Sequence, residues 1–207
     1  MLPKALNYLA GVQRIDYKAF LQVHRILFQD LYPWAGQDRA LTMPDRAVIK
    51  DAVVFCSPRD CERAVTHGLR LAQEDGLMTT QPGRIMGMFA YGHPFLDGNG
   101  RTMLLVHAEL CFRAAISVDW SRTDKDHYLR ALTREIAEPQ VGHLDAYLRP
   151  FIAPAIARTQ WLATVADLRG LDGTTTTPVE HAPRYADPEV VALQRQFDQR
   201  RNYDIDL

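Results

Sequence analysis

A chain of 207 residues with 47% hydrophobic content has room for one domain with a real core and is too apolar to be disordered throughout. Its 24 Lys+Arg against 25 Asp+Glu leave a formal net charge of −1, without the basic excess of a phosphate-neutralising nucleic-acid binder. No apolar run could span a bilayer, no signal-peptide pattern opens the chain, and Cys56, Cys61 and Cys111 have no metal-ligand spacing. The expectation is a cytoplasmic protein with reduced thiols, or an effector delivered into another cytosol, with neither nucleic acid nor membrane among its partners.

In chain order, residues 1–15 carry Pro3 and Gly11 and read as a loosely packed leading segment. Asp16 is an N-cap for a helix reaching Leu31, in which Phe20, Leu21, Val23, Ile26, Leu27, Phe28 and Leu31 suit burial; His24 is assigned a packing role. Tyr32-Pro33-Trp34-Ala35-Gly36-Gln37-Asp38-Arg39 breaks that helix, with Trp34 in the core. Arg39–Met43 and Ala47–Lys50, separated by Pro44-Asp45-Arg46 and extended by Val53–Phe55, predict a short β-hairpin. Ser57-Pro58-Arg59-Asp60 starts a helix that runs to about Glu74 and stops at Gly76, with His67 structural. Pro82 opens another, over Gly83–Tyr91, that leads to His93.

The stretch Tyr91–Arg101 concentrates the chemistry. Gly98 and Gly100 allow a ligand to approach the main chain, and Thr102–Ala114, free of Gly and Pro, continues as a largely buried helix. Gly98, Asn99, Gly100 and Arg101 therefore form an anion cradle at a helix N-terminus, with the Arg101 fork suited to phosphate oxygens. Asp97 is a ligand for a magnesium ion shared with phosphates, and His93 is placed to act as a general base. The outline is transfer of a phosphate-containing group onto a hydroxyl. His107 and Glu109 lack zinc-site spacing and read as structural.

Ile116–Trp120 reads as a connection, and Ser121 or Thr123 caps a helix ending near Pro139. Gly142 begins a last long helix to about Leu168 despite Pro150 and Pro154. A linker from Gly170 to Pro178 precedes a helix over Pro188–Arg201, whose Val190, Val191, Leu193 and Phe197 must dock on the domain or on a partner chain. The expected division is a catalytic domain over 1–169 and a linker with a helical tail over 170–207.

His93-Pro94-Phe95-Leu96-Asp97-Gly98-Asn99-Gly100-Arg101 resembles the signature of the Fic family (filamentation induced by cyclic AMP), H-P-F-x-(D/E)-G-N-G-R-x-x-R, at eight of nine defined positions. Tyr32–Arg39 is similar to the family's Y-P-W-A-G-x-x-R stretch, and the resemblance covers about residues 16–160. It implies an all-α Fic-like helical bundle around a central buried motif helix, with a β-hairpin flap over the active site. It also implies a protein adenylyltransferase that moves AMP from ATP onto a Ser, Thr or Tyr hydroxyl of a target docked on the flap near residues 39–56. In that reading His93 is the base, Asp97 holds magnesium, Gly98, Asn99, Gly100 and Arg101 bind the nucleotide phosphates, and an inhibitory antitoxin-like chain is a further partner. The ninth position departs, since Leu104 stands where the family has its second arginine, and losing that phosphate contact costs about 1.5–3 kcal/mol. The alternative is a weakened or donor-switched Fic fold, using another nucleotide or a phosphocholine donor, or acting only as a binding module. Thr176–His181 matches the family's inhibitory-helix pattern only in part, and Pro178 argues against a helix there.

Overall fold

Capping chemistry sets where several of the helices begin. The computed structural model describes residues 1–50, 53–161 and 183–201. In it Asp16 accepts the Ala19 N–H at 2.8 Å and opens α2 (Tyr17–Phe28), and Asp38 accepts from Leu41 at 3.2 Å to open the single turn α3 (Arg39–Thr42). Ser57 caps a 3-10 turn, Pro58–Asp60, ahead of α4 (Cys61–Gln73), and Gly76 follows in the left-handed region. The next helix, α5 (Pro82–Gly92), has no local side-chain cap. Its free N–H groups are taken from afar: Asp145 of α8 (His143–Leu148) accepts from Gly83 at 2.6 Å and Arg84 at 3.2 Å.

Several expectations are corrected. The leading segment is a packed helix, α1 (Leu2–Gly11), because a proline in the first turn costs no hydrogen bond and Ala5 and Leu9 bury against α2. Leu31 lies past the end of α2 and is exposed. Arg39–Thr42 is helical rather than a hairpin arm, so the hairpin shrinks to β1 (Ile49–Lys50) and β2 (Val53–Val54), with Ile49 opposite Val54. After α6 (Asn99–Arg113), the supposed connection holds β3 (Ile116–Val118). The cap of α7 (Lys125–Ala137) is Asp124, and the long helix after Gly142 breaks within two turns, because Pro150 falls in a 3-10 turn leading to β4 (Ile152–Pro154). β4 pairs antiparallel with β3, Ser117 opposite Ala153. The boundary at residue 169, the linker and Thr176–His181 lie outside the described residues.

The frame is the expected helical bundle with a small hairpin flap, and among the described residues it carries a second antiparallel pair, β3–β4, that the sequence reading did not include. Its centre is α5, buried along its whole length except at Arg84 and packed on α4, α6, α7 and α8. Phe89 of α5 meets Phe20 of α2 at a ring-centroid distance of 5.4 Å, and Phe20 stacks on Phe95 of the motif at 6.1 Å. Each such side chain contributes about 1.5–3 kcal/mol by burial. Buried Glu109 of α6 is matched by two arginines, Arg113 at 2.8 Å and Arg158 at 2.5 Å, which confirms a structural role for it. Arg113 also donates to the Leu9 carbonyl at 3.0 Å, tying α1 to the motif helix.

The tail helix, α9 (Pro188–Arg201), spans the expected residues and docks in cis on α7 and β2. Its buried face is Val190, Gln194, Phe197 and Arg201 rather than the apolar stripe alone, and Leu193 is exposed. Arg201 donates to the Ile136 carbonyl, and its guanidinium lies 3.6 Å from the centre of the Tyr91 ring. Burial lowers its pKa to about 10.

Candidate active site

The site is assembled where α5 ends, the flap folds over that end, and α6 begins. α5 runs out at His93, which takes a left-handed conformation (φ 37°, ψ 55°) open to few residues other than glycine. Such a conformation persists only when its surroundings over-determine it, and here Arg39 does so. Arg39 is fully buried and donates through Nε to the His93 carbonyl at 2.7 Å and through Nη2 to the Cys56 carbonyl at 2.9 Å. Its backbone N–H bonds the Pro94 carbonyl at 2.7 Å, and Cys56 N–H bonds the Tyr91 carbonyl at 3.1 Å. One side chain thus pins the histidine turn, the flap and the Tyr32–Arg39 loop together.

Phe55, just after β2, lies over His93 with ring centroids 4.1 Å apart. Burial, then the positive charges of Arg39 and Lys50, lower the His93 pKa to about 3, although part of the residue remains open to solvent. The imidazole is therefore neutral at physiological pH, and among the described residues its ring nitrogens are not engaged in a hydrogen bond.

The loop from Pro94 to Gly98 is held by its own residues. Asn99 donates to the Phe95 carbonyl at 2.7 Å and accepts the Phe95 N–H at 2.9 Å, so its buried side-chain amide closes the turn, and its backbone N–H is the part facing the cradle. Neutral His24 bridges two loops: Nε2–H donates to the Asp97 carbonyl at 3.0 Å, and Nδ1 accepts the Gly36 N–H at 2.9 Å. Burial lowers its pKa to about 4, and its ring stacks on Phe95 at 3.7 Å. The Asp97 carboxylate accepts from Gly98 N–H at 2.6 Å and from the Tyr32 hydroxyl.

Gly98 (φ 79°) caps α6, and a Cβ there would lie 2.5 Å from Phe28. At Gly100 a Cβ would meet nothing within 4 Å. The first helical bond of α6 runs from Thr102 N–H to the Gly98 carbonyl at 3.1 Å, so the N–H groups of Asn99, Gly100 and Arg101 point out of the helix end. Arg101 stands beside them, its guanidinium 4.4 Å from the Phe28 ring centre. Leu104, one turn on, is half-buried against the core.

All six predicted site residues thus fall on one loop and helix start. The arrangement offers a neutral imidazole, an open row of N–H donors, a guanidinium and one carboxylate. Among the described residues no group of three or more His, Cys, Asp or Glu could hold a metal alone. Asp97 keeps unused lone pairs beside its two donors, which fits a magnesium ion that shares phosphate oxygens. Sequence reasoning missed the supporting roles of Arg39, His24, Tyr32 and Phe55. Arg39, Tyr32 and the backbone of Gly36 lie in the Tyr32–Arg39 stretch already singled out, and that stretch was the available signal.

Residues 14–111 match the sequence model of the Fic/DOC family. A probable protein adenylyltransferase, y4lH of Sinorhizobium fredii, is 31% identical over 135 residues, which is 59% of this chain and 66% of that protein. The protein adenylyltransferase VbhT of Bartonella schoenbuchensis is 29% identical over 126 residues, 57% of this chain and 25% of its own length. The chain thus spans less than two thirds of these curated relatives. The fold is shared with the crystal structure of the BepC effector protein of Bartonella tribocorum with bound AMPPNP (TM-score 0.60, 19% identity, 74% of this chain and 82% of that one). It is also shared with the Fic domain of a Bartonella quintana effector with bound ADP (TM-score 0.59, 18% identity, 76% and 83%).

Proposed function

Because the chain belongs to the Fic/DOC family through residues 14–111, we propose that it moves a nucleoside monophosphate, AMP from ATP foremost, onto a Ser, Thr or Tyr hydroxyl of a protein target. The observation that carries the reading is the pairing, on one short loop, of a neutral His93 with an open helix N-terminus flanked by Arg101. In the step, His93 accepts the hydroxyl proton, the oxygen bonds the α-phosphorus, and the bond to the bridging oxygen breaks as pyrophosphate leaves. The N–H groups of Asn99, Gly100 and Arg101 and the Arg101 guanidinium orient the phosphate oxygens and offset their charge. Asp97 would hold magnesium, which supplies charge neutralisation on the phosphates when bound. The target segment lies along the flap within residues 39–56, where backbone pairing holds it with little demand on sequence.

The adenylyltransferase names of y4lH and VbhT, and the AMPPNP and ADP bound to the Bartonella neighbours, support a nucleotide donor. Among the described residues no helix is long and apolar enough to cross a membrane. The effector names of the neighbours support action in a cytosol, either the cell's own or one it is delivered into.

Leu104 favours a second reading, a donor-switched or weakly active member. An apolar side chain half-buried against the core cannot seat a terminal phosphate, nor can it pair with a glutamate offered by an inhibitory partner chain. One experiment separates these readings. Wild type and His93→Ala are incubated with magnesium and labelled ATP, GTP, CTP, UTP or CDP-choline, together with a lysate. Label transferred by wild type alone, with the added mass of AMP, is the expected result. A different added mass names another donor, and nucleotide binding without transfer establishes the binding module.

A further inference from the structure

The residues just before α9 lie against the flap in a manner the transfer reaction does not need. Arg184 bridges Arg46 in antiparallel register; Ala47 N–H donates to the Pro183 carbonyl at 3.2 Å, and Tyr185 N–H donates to the Asp45 carbonyl at 2.8 Å. In an extended strand the polar groups of successive residues point to opposite sides. The Val48 carbonyl faces Phe55 N–H, at 3.1 Å, on the β2 side, so the groups of Asp45 and Ala47 face away from β2. Residues 183–185 therefore cover the outer edge of the flap. Ile49 has the same parity as Ala47 and presents its N–H and C=O to that edge one step further along. The flap is next to the chemistry, since the Phe55 ring packs tilted against His93 and the charge of Lys50 reaches it.

We propose that Pro183–Tyr185 is a built-in occupant of the flap edge, which an extended segment of a target must displace before its hydroxyl can reach His93. The inference rests on the proposed docking of the target along the flap. Docked α9, with Phe197 fully buried and Arg201 seated over Tyr91, holds the segment at high local concentration. The segment is also a weak ligand by construction. It makes two ladder bonds, and Pro183 has no N–H to add a third. A target strand that runs on to Ile49 gains bonds the occupant does not make, so the partner that fits is an extended stretch with N–H groups free at alternate positions and without proline there.

The test uses the full chain and a fluorescent synthetic peptide copying residues 179–189. Tyr185→Pro removes the N–H that bonds Asp45, while Tyr185→Phe keeps it. The peptide should bind Tyr185→Pro about tenfold more tightly than it binds wild type or Tyr185→Phe. The Ala47 amide should exchange slowly in wild type, faster in Tyr185→Pro, and slowly again once the peptide is added. Equal peptide affinity for all three proteins, or equal Ala47 exchange in wild type and Tyr185→Pro, overturns the proposal. If Tyr185→Pro does not fold, a peptide methylated on the nitrogen of its own tyrosine replaces it; weaker binding to wild type than the unmodified peptide is expected, and equal binding overturns the proposal. None of these readouts needs turnover, so failure of transfer from every donor would refute the reaction without touching them.

Discussion

The two ends of the motif loop are built to opposite rules. At the His93 end the backbone carbonyls are spent on the protein itself: Arg39 holds them, Phe55 covers the ring, and a left-handed backbone is locked in place. A few residues on, the N–H groups of Asn99, Gly100 and Arg101 have no intrahelical acceptor, and Gly100 borders open space. One end is fixed for position and the other is left open for a ligand. Changes at the first should cost stability, and changes at the second should cost nucleotide affinity.

The largest expected effect is at Arg39. Arg39→Met leaves the His93 and Cys56 carbonyls buried without their donor, and should destabilise the protein by about 4 kcal/mol in urea unfolding. Arg39→Lys should recover little of this, because a point charge cannot reproduce the fork. A loss below about 1 kcal/mol would mean that the turn is held by something else.

A sharper contrast sets Gly98 against Gly100. Gly98→Ala adds left-handed strain and a clash with Phe28, and should cost about 3 kcal/mol of stability. Gly100→Ala should leave the melting temperature unchanged or raised, since a helical glycine is replaced by alanine, yet weaken ATP binding about tenfold by intruding on the phosphate path. If both variants behave alike in melting and in calorimetric titration with ATP, the two-ended description is wrong.

Leu104→Arg tests the open end by addition. A guanidinium one turn after Arg101 should tighten ATP binding about tenfold, within the 1.5–3 kcal/mol of a charged hydrogen bond, and leave AMP affinity nearly unchanged. Equal gains for ATP and AMP would place the new charge away from the terminal phosphate.

The last effect is spread along the pH scale, as a slope of stability. Burial depresses His24, His93 and His107 to about 4, 3 and 4 in the folded state, against an ordinary 6.5. Unfolding then takes up protons below pH 6.5, so their contribution is full above that pH and is lost as pH falls towards 4. Glu135, raised by burial to about 7, acts in the opposite sense and loses its contribution as pH rises from 4.5 through 7. His24→Gln should flatten the acid slope by about 1.4 kcal/mol per pH unit, measured by unfolding between pH 6.5 and 4. An unchanged slope would show that His24 is not the neutral bridge between Asp97 and Gly36.

Local signals were legible, and long-range ones were not. Asp16 as a cap, α5 leading into His93, the glycines opening α6 and the span of α9 all follow from neighbours in sequence. The cap of α5 comes instead from Asp145, 62 residues beyond Gly83, and no spacing rule reaches that far. Ile116–Val118 is a strand only because Ile152–Pro154 lies beside it. The site shows the same division. His93, Asp97 and the cradle could be read from residue types, but a buried, multiply bonded Arg39 looks in sequence like any loop arginine. Residue type places Asn99 in the phosphate cradle, and only geometry shows that its side-chain amide turns inward on Phe95.

The docking of α9 also sets a schedule for synthesis. Tyr91 stands two residues before His93, yet the guanidinium that covers its ring belongs to Arg201, and Phe197 fills the neighbouring core. As the chain leaves the ribosome, α5 and the flap can form long before that flank is closed. Until residue 201 has been made, the nascent protein carries an open seam beside its motif, with the Tyr91 ring and the core under Phe197 still uncovered.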